Sequence, residues 1–292
     1  MQKIKILADS SCDISVEDEK RYGIEILPIP ITIGDKGYRE RIDFTNEEFY
    51  EMMDNYEGIP ATSQVNAFEQ LETYKKIYDD GYTDILHVTI ASNGSNIYNS
   101  ALMAKEKFFE EIPEAVGKFN ITIIDSKNYT GVYGYPVVQA AVKLEKGASL
   151  AEVVSYLKDW YDSAAVIFAP FDLKYAKKSG RISSMAAFVG EVLGLKAIIR
   201  IADGVSKNIA KVRGEKTIIP KIVELACEEM VPATPYVIMM GSSKKEPEEL
   251  AKIMTKKLGY PPAGYCQVGA AVASNAGHAV VGVVIKGPNR NN

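Results

Sequence analysis

Two short polar stretches carry the residues whose types and spacing could do chemistry. The first is Ala61-Thr62-Ser63-Gln64, which follows Gly58-Ile59-Pro60 and sets two hydroxyls side by side. Such a pair serves either as a helix N-cap or as a set of donors for a bound oxyanion. The second is I-A-S-N-G-S-N-I-Y-N-S-A, Ile90–Ala101, in which an apolar strand end runs into the turn Ser92-Asn93-Gly94-Ser95 and then into a helix. A helix start offers unpaired amides and the positive end of the dipole, which favours an anion. Serine and asparagine also cap helices that hold no ligand, so the second stretch alone reads as a generic anion site.

Catalytic readings find less support. The chain has two histidines, His87 and His278. A nucleophilic Ser92 or Ser95 would need one of them as base, and His87 lies inside the strand I-L-H-V-T-I, where a packed histidine is expected. There is no G-x-S-x-G elbow, no phosphate-binding glycine loop and no Cys/His set at zinc spacing. No metal and no cofactor are expected, and a serine-dependent hydrolase or acyl-transfer enzyme stands as the alternative to a binding protein. Asp9 and Asp125 each follow a strand and are either turn formers or functional groups. The pairs Glu110-Glu111 and Glu228-Glu229 read as solvated helix faces.

The composition sets the frame. With 292 residues the chain has the length of two domains. It is 47% hydrophobic and 25% charged, with net charge −4, so it can bury a full core but has no basic stripe for nucleic acid. Its start, MQKIKILADSS, has too short an apolar run for a signal peptide. The uncharged run Leu258–Ile285 is rich in Gly, Ala, Ser and Asn, holds two prolines, and reads as strands and turns instead of a membrane span. The three cysteines, Cys12, Cys227 and Cys266, fit no disulfide framework. A cytoplasmic protein without membrane insertion is expected.

These stretches must be positioned by a scaffold, and its first half alternates. Strands are predicted at Lys3–Leu7, Asp84–Ile90 and Ile121–Ile124, and an extended stretch at Ile24–Ile33. Helices are predicted after Ser15, after Thr45 (with Glu48 in a capping box), and over Phe68–Asp80, Ser95–Phe109, Val132–Lys146 and Leu150–Tyr161. Alternation of this kind implies a parallel sheet, whose carboxyl ends gather ligands. The turns at Asp9-Ser10-Ser11, Ala91–Ser95 and Asp125-Ser126 should therefore lie together. The second half mixes strands at Ala164–Ala169, Ala197–Ile201, Val205–Ala210, Tyr236–Met240, Tyr265–Val268 and Ala279–Ile285 with helices near Lys216–Met230 and Pro247–Leu258. Asp203-Gly204 marks a hairpin. The expectation is an α/β protein with two domains: an N-terminal parallel sheet flanked by helices over residues 1–163, and a C-terminal α+β mixed sheet over 164–292. The tail PNRNN should fray.

In several stretches taken in order the sequence resembles the DegV family of bacterial lipid-binding proteins. These are A-D-S-S-C-D-I (Ala8–Ile14), Y-R-E-R-I-D-F-T (Tyr38–Thr45), A-T-S-Q (Ala61–Gln64), the Ser/Gly turn at Ser92–Ala101 and I-D-S (Ile124–Ser126). They continue with L-K-Y-A-K-K-S-G-R-I-S (Leu173–Ser183), V-L-G-L-K-A-I-I (Val192–Ile199) and K-V-R-G (Lys211–Gly214). The resemblance implies a long-chain fatty acid buried between two domains. Its carboxylate would be held by Thr62 beside Ser63 and by the turn Ser92, Asn93, Gly94 and Ser95, with Ser92 or Ser95 as the second hydroxyl. It also implies a non-catalytic subunit that presents the acid to a fatty-acid kinase for phospholipid metabolism, with Arg181 in the docking loop. A lipid-responsive regulatory sensor is the other reading of a lipid binder. The chain departs from the family at Ala273–Ala279, where Asn275 replaces a histidine near the carboxylate and His278 replaces a proline. Asn275 could offer an amide there but no titrating group.

Overall fold

The computed structural model describes residues 2–182 and 194–291, so Ser183 and the start of the Val192–Ile199 stretch lie outside the described residues. Along the first half run β1 (Ile4–Asp9), α1 (Val16–Tyr22), β2 (Glu25–Leu27), β3 (Pro30–Ile33), β4 (Lys36–Arg39), α2 (Asn46–Asp54), β5 (Ala61–Thr62), α3 (Ala67–Asp79), β6 (Asp84–Thr89), α4 (Ile97–Glu111), β7 (Asn120–Asp125), α5 (Gly131–Glu145) and α6 (Leu150–Tyr161). The second half holds β8 (Ala164–Pro170), α7 (Lys174–Ser179), β9 (Leu195–Ala202), β10 (Val205–Arg213), α8 (Ile218–Glu229), β11 (Val237–Met240), α9 (Lys245–Leu258), β12 (Gly264–Gln267), α10 (Ala270–Ala276) and β13 (Val280–Lys286).

The parallel sheet is present in the order β2-β1-β6-β7. Two of the helices of this half begin where local chemistry says they should. Ser15 accepts from the Asp18 amide ahead of α1, and Thr45 with Glu48 closes a capping box at α2. The mixed sheet follows in the order β10-β9-β8-β13-β11-β12, with β9 and β10 joined through Asp203 (φ 54°) and Gly204 (φ 69°), the left-handed pair of a tight hairpin.

Four expectations are corrected. The extended stretch Ile24–Ile33 is two strands: β2 joins the parallel sheet, whereas β3 joins a small antiparallel sheet β4-β3-β5. Thr62 and Ser63 are no helix cap, because Thr62 ends β5 and α3 starts beyond it, capped by Asn66 and Glu69. The supposed strand-and-turn run before Ile285 includes the short helix α10. The tail is tied down: the Arg290 amide donates to the Asp162 carbonyl and its guanidinium to the Tyr161 carbonyl.

The mixed sheet is apolar on both faces, as expected of a strand such as Ala164–Pro170 that is buried at every position. Ala165, Ile167, Ile238, Val281 and Val283 pack under α8 and α9. Val166, Phe168, Ile201, Met239 and Val280 belong instead to the core shared with the N-terminal half. Between those two halves lies the cavity described next.

Candidate functional site

A cavity of about 320 Å³ opens between the two halves, within the range of small-molecule sites. Its floor is the second sheet. Val166 and Ile201 are direct partners across β8 and β9 and both line it, beside Phe168, Met239 and Val280. Gly282 pairs with Phe168 on one side and Met239 on the other. A Cβ at Gly282 would stand 2.5 Å from the Phe168 Cβ, so glycine is what lets Phe168 lie back against β13. The opposite wall comes from the first half with Ile29 and Ile90, and a third wall from α10 with Ala271, Val272 and Ala276.

The lining also carries polar residues, and they include much of the predicted set: Thr62, Ser63, Gly94, Ser95 and Asn275, with Ser11, Gln64, Asn96 and Thr130. Thr62 is fixed by pairing with Ile31 and by the Ser63 amide donating to the Pro30 carbonyl at 2.9 Å. The turn at Gly94 and Ser95 is held by their amides on the Ala91 carbonyl. The side chain of Asn96, at the N-cap of α4, makes no capping bond, and the Ile97 amide donates instead to the Ser95 hydroxyl oxygen at 3.4 Å, which leaves the Ser95 proton to donate elsewhere. Tyr129 closes over Gly94, where a Cβ would collide with its ring. Asn275 donates an amide hydrogen to the Ala271 carbonyl at 2.8 Å and keeps its second hydrogen.

Arg181 is the charged side chain among the described lining residues. It was expected on a docking loop. Gly180 (φ 70°) ends α7 in the left-handed region, and that turn delivers Arg181 and Ile182 to the cavity. Arg181 also opposes, by its charge, the upward pressure of burial on the Tyr129 phenol.

Three predicted residues are not brought to the lining. Ser92 donates its hydroxyl to Asp125 at 2.5 Å, and its amide bonds the same carboxylate, which makes Asp125 the turn former. Asn93 donates to the Gly204 carbonyl at 2.9 Å and so ties the turn to the hairpin of the other half. His278 stacks on Tyr50 and bonds Ser242 and Asp54. Of Ser92 and Ser95, it is Ser95 that lines the cavity.

Neither Ser92 nor Ser95 is bonded to a histidine among the described residues, and the serine that His278 does bond, between it and Asp54, is Ser242, outside the cavity lining. His87 is buried, bonds the Tyr74 hydroxyl at 2.7 Å, and is pushed down to about 3 by desolvation, so it is neutral. His278 is turned to Ser242 and Asp54, away from Ser92 and Ser95. Burial raises the Cys12 and Cys266 thiols to about 12, which leaves them unreactive at neutral pH. Among the described residues no group of His, Cys, Asp and Glu is arranged to hold a metal ion, and no helix is long and apolar enough to cross a membrane. Glu229 is no solvated acid, since Arg200 grips it with bonds of 2.5 to 2.9 Å.

Sequence reasoning missed the buried carboxylates Asp13 and Glu40 at the start of α10. Asp13 accepts from the Gly269 amide at 2.9 Å, and Glu40 from the Ala271 amide at 3.0 Å. Desolvation raises both, and the Glu40 charge pushes Asp13 further. Their only signal was their place in Ala8–Ile14 and Tyr38–Thr45.

An α/β protein of three sheets, with a largely apolar cavity that carries hydroxyls and one arginine on its wall, is the class that the fold and the site define. The DegV family model matches residues 3–287, and the chain belongs to the DegV family. A DegV domain-containing protein of Clostridium perfringens is 29% identical over 98% of this chain and 99% of its own length. Another, from Caldanaerobacter subterraneus, is 32% identical over 77% and 76%. Among solved structures, a stearic-acid-binding protein from Eubacterium ventriosum is 25% identical, with TM-score 0.87 over 100% of both chains. The fatty acid kinase B3 protein of Streptococcus pneumoniae, loaded with linoleic acid, superposes with TM-score 0.82 at 18% identity over 98% and 99%, which speaks for the fold.

Proposed function

We propose that this chain is a cytoplasmic, non-catalytic carrier of one long-chain fatty acid. Its two domains, residues 1–163 and 164–292, would close on the acyl chain. The carboxylate would lie at the Thr62 end, within reach of the hydroxyls of Thr62 and Ser95 and of the Arg181 guanidinium, with Ser63, Gly94 and Asn275 around it. The observation that carries this reading is a cavity lined mostly by apolar side chains that also brings Thr62, Ser63, Ser95, Asn275 and Arg181, the single charged side chain among the described lining residues, to its wall. The solved relative from Eubacterium ventriosum binds stearic acid, which supports the ligand class.

The energetics agree. A long chain gains on the order of 10 kcal/mol gross at about 0.8 kcal/mol per methylene. A substantial part is lost to ordering on binding. A buried carboxylate is tolerable where convergent donors and a cation meet it. The linoleic-acid-loaded structure is a fatty acid kinase component, and on that ground the finer proposal is presentation of the acid to a partner kinase. Arg181 then acts on the ligand from the cavity edge, where it is exposed.

Denaturing mass spectrometry of an organic extract of the purified chain tests the first part. About one fatty acid per chain is expected, and absence of stoichiometric fatty acid overturns it. Incubating the loaded chain with a fatty-acid kinase catalytic subunit, ATP and hydroxylamine tests the second. Acyl hydroxamate is expected, and its absence overturns kinase presentation while leaving the carrier standing.

A further inference from the structure

Of the two stretches Ala8–Ile14 and Tyr38–Thr45, only Ser11 reaches the described cavity lining, yet together they send two carboxylates across the seam between the halves. Asp13, in the left-handed region at φ 54°, presents Oδ1 to the Gly269 amide at 2.9 Å. Glu40 presents Oε1 to the Ala271 amide at 3.0 Å, while its Oε2 accepts from the Ser10 hydroxyl at 2.5 Å. The Ser10 oxygen in turn accepts from the Ile29 amide at 3.0 Å, so its proton is committed to Glu40. The Tyr50 hydroxyl holds the Val268 carbonyl just upstream.

Gly269 is the focus of this contact. A Cβ there would stand inside contact distance of Glu40 Oε1 and 2.9 Å from Asp13 Oδ1. The residues these bonds hold are the ones that wall the cavity: Val268, Ala271, Val272, Asn275 and Ala276. Neither Asp13 nor Glu40 is among the lining residues. Apolar packing alone would let a seven-residue helix slide or rotate, because it is non-directional. Two directional bonds to amides at its start, Gly269 and Ala271, fix both its register and its rotation.

We infer that Asp13 and Glu40 are positioning residues that latch α10 to the N-terminal half and thereby set how long a bound fatty acid stays. The inference rests on the carrier reading above. The latch acts on release: it holds a wall closed over ligand already inside, and it makes no contact with ligand that is entering. Breaking it raises the dissociation rate and leaves the association rate near its original value.

Three variants and a control test this. Glu40→Leu removes the acceptor and leaves the Ala271 amide unpaired, whereas Glu40→Gln keeps one acceptor oxygen for that amide, giving up only the bond from Ser10, and serves as the conservative rescue. Gly269→Ala wedges the same contact without touching either carboxylate. Ile222→Val, buried on the far face of the second sheet, controls for general destabilisation. The readout is the transfer of radiolabelled oleate from each protein to excess serum albumin, together with uptake kinetics. Glu40→Leu and Gly269→Ala should release oleate about tenfold faster or more, as loss of one charge-assisted bond implies. Glu40→Gln and Ile222→Val should stay within about twofold of wild type by the same scale. If wild type and the two latch-breaking variants release alike, or if Ile222→Val is as fast as they are, the latch is overturned. If Glu40→Leu does not fold, Gly269→Ala decides alone. Wild type that takes up no oleate contradicts the carrier reading itself, which is a separate result.

Discussion

The sharpest consequence of the cavity is the effect of Arg181→Gln. The cavity wall holds one cation among the described lining residues, so a carboxylate beside it has one charge partner and several neutral donors. Arg181 is itself exposed at the cavity edge, which sets the effective dielectric nearer that of a protein surface than of a dry interior. Two unit charges 4 Å apart at an effective dielectric of about 20 interact by about 4 kcal/mol before desolvation and ordering are subtracted. A hydrogen bond to a charged group contributes about 1.5 to 3 kcal/mol net, and exposure moves Arg181 toward the lower end. The expected loss is therefore about 1 to 2 kcal/mol, or about fivefold to thirtyfold in Kd. The assay is displacement of a fluorescent fatty acid by oleate and, in parallel, by oleyl alcohol. The alcohol has the same chain and no charge, so its affinity should change less than about twofold. Equal weakening for both ligands, or no weakening for oleate, would refute a carboxylate paired with Arg181.

Other residues give further tests. Thr62→Ala should weaken oleate by about 1 to 2 kcal/mol, loss of one hydrogen bond to a carboxylate, and melting curves should show the fold intact. Ser92→Ala should lower stability by about 1 kcal/mol through loss of its Asp125 bond and should leave oleate affinity near wild type, measured by thermal melts and the same displacement assay. Asp13→Asn should change the pH dependence of stability. Asp13 is raised in the folded state by burial and then by Glu40, so the folded protein holds its proton over a window in which the unfolded chain, near 3.8, has released it. Stability from this group is greatest on the acid side and falls as pH rises through the folded value. The asparagine variant, which keeps an acceptor for Gly269, should therefore match wild type near pH 4 and exceed it increasingly as pH rises. Each tenfold difference in proton affinity between the folded and unfolded chain corresponds to about 1.4 kcal/mol, and parallel urea-denaturation curves from pH 4 to 8 would refute the assignment.

What could be read from the sequence was what local chemistry decides. Caps at Ser15 and Thr45, the hairpin at Asp203-Gly204 and the alternation behind the parallel sheet each depend on neighbours a few residues away. The two motifs with Thr62 and Ser95 were visible for the same reason, since strand ends and helix starts concentrate donors. Features set by distant partners were not visible. β5 is two residues long and exists through pairing with β3. The helix α10 has no Ser, Thr, Asp or Asn at its N-cap, because its start is held by Asp13 and Glu40 from more than two hundred residues away. Its alanines also show no amphipathic period, since Ala270, Ala271, Ala273 and Ala276 are all buried. The cavity floor was hidden too: β8 is buried on both faces, so nothing in its run of apolar residues says that Val166 and Phe168 face the cavity. That Arg181 also lines the cavity was not legible, because one glycine at φ 70° sets the turn that brings it there.

The central claim is the position of a carboxylate. The direct measurement is a crystal structure of the wild-type chain loaded with oleate. A carboxylate oxygen within about 3 Å of the Thr62 hydroxyl, with Arg181 and Ser95 beside it and the acyl chain over Phe168 and Met239, is the predicted result. A carboxylate at the other end of the cavity, or oleate bound outside it, would contradict the account.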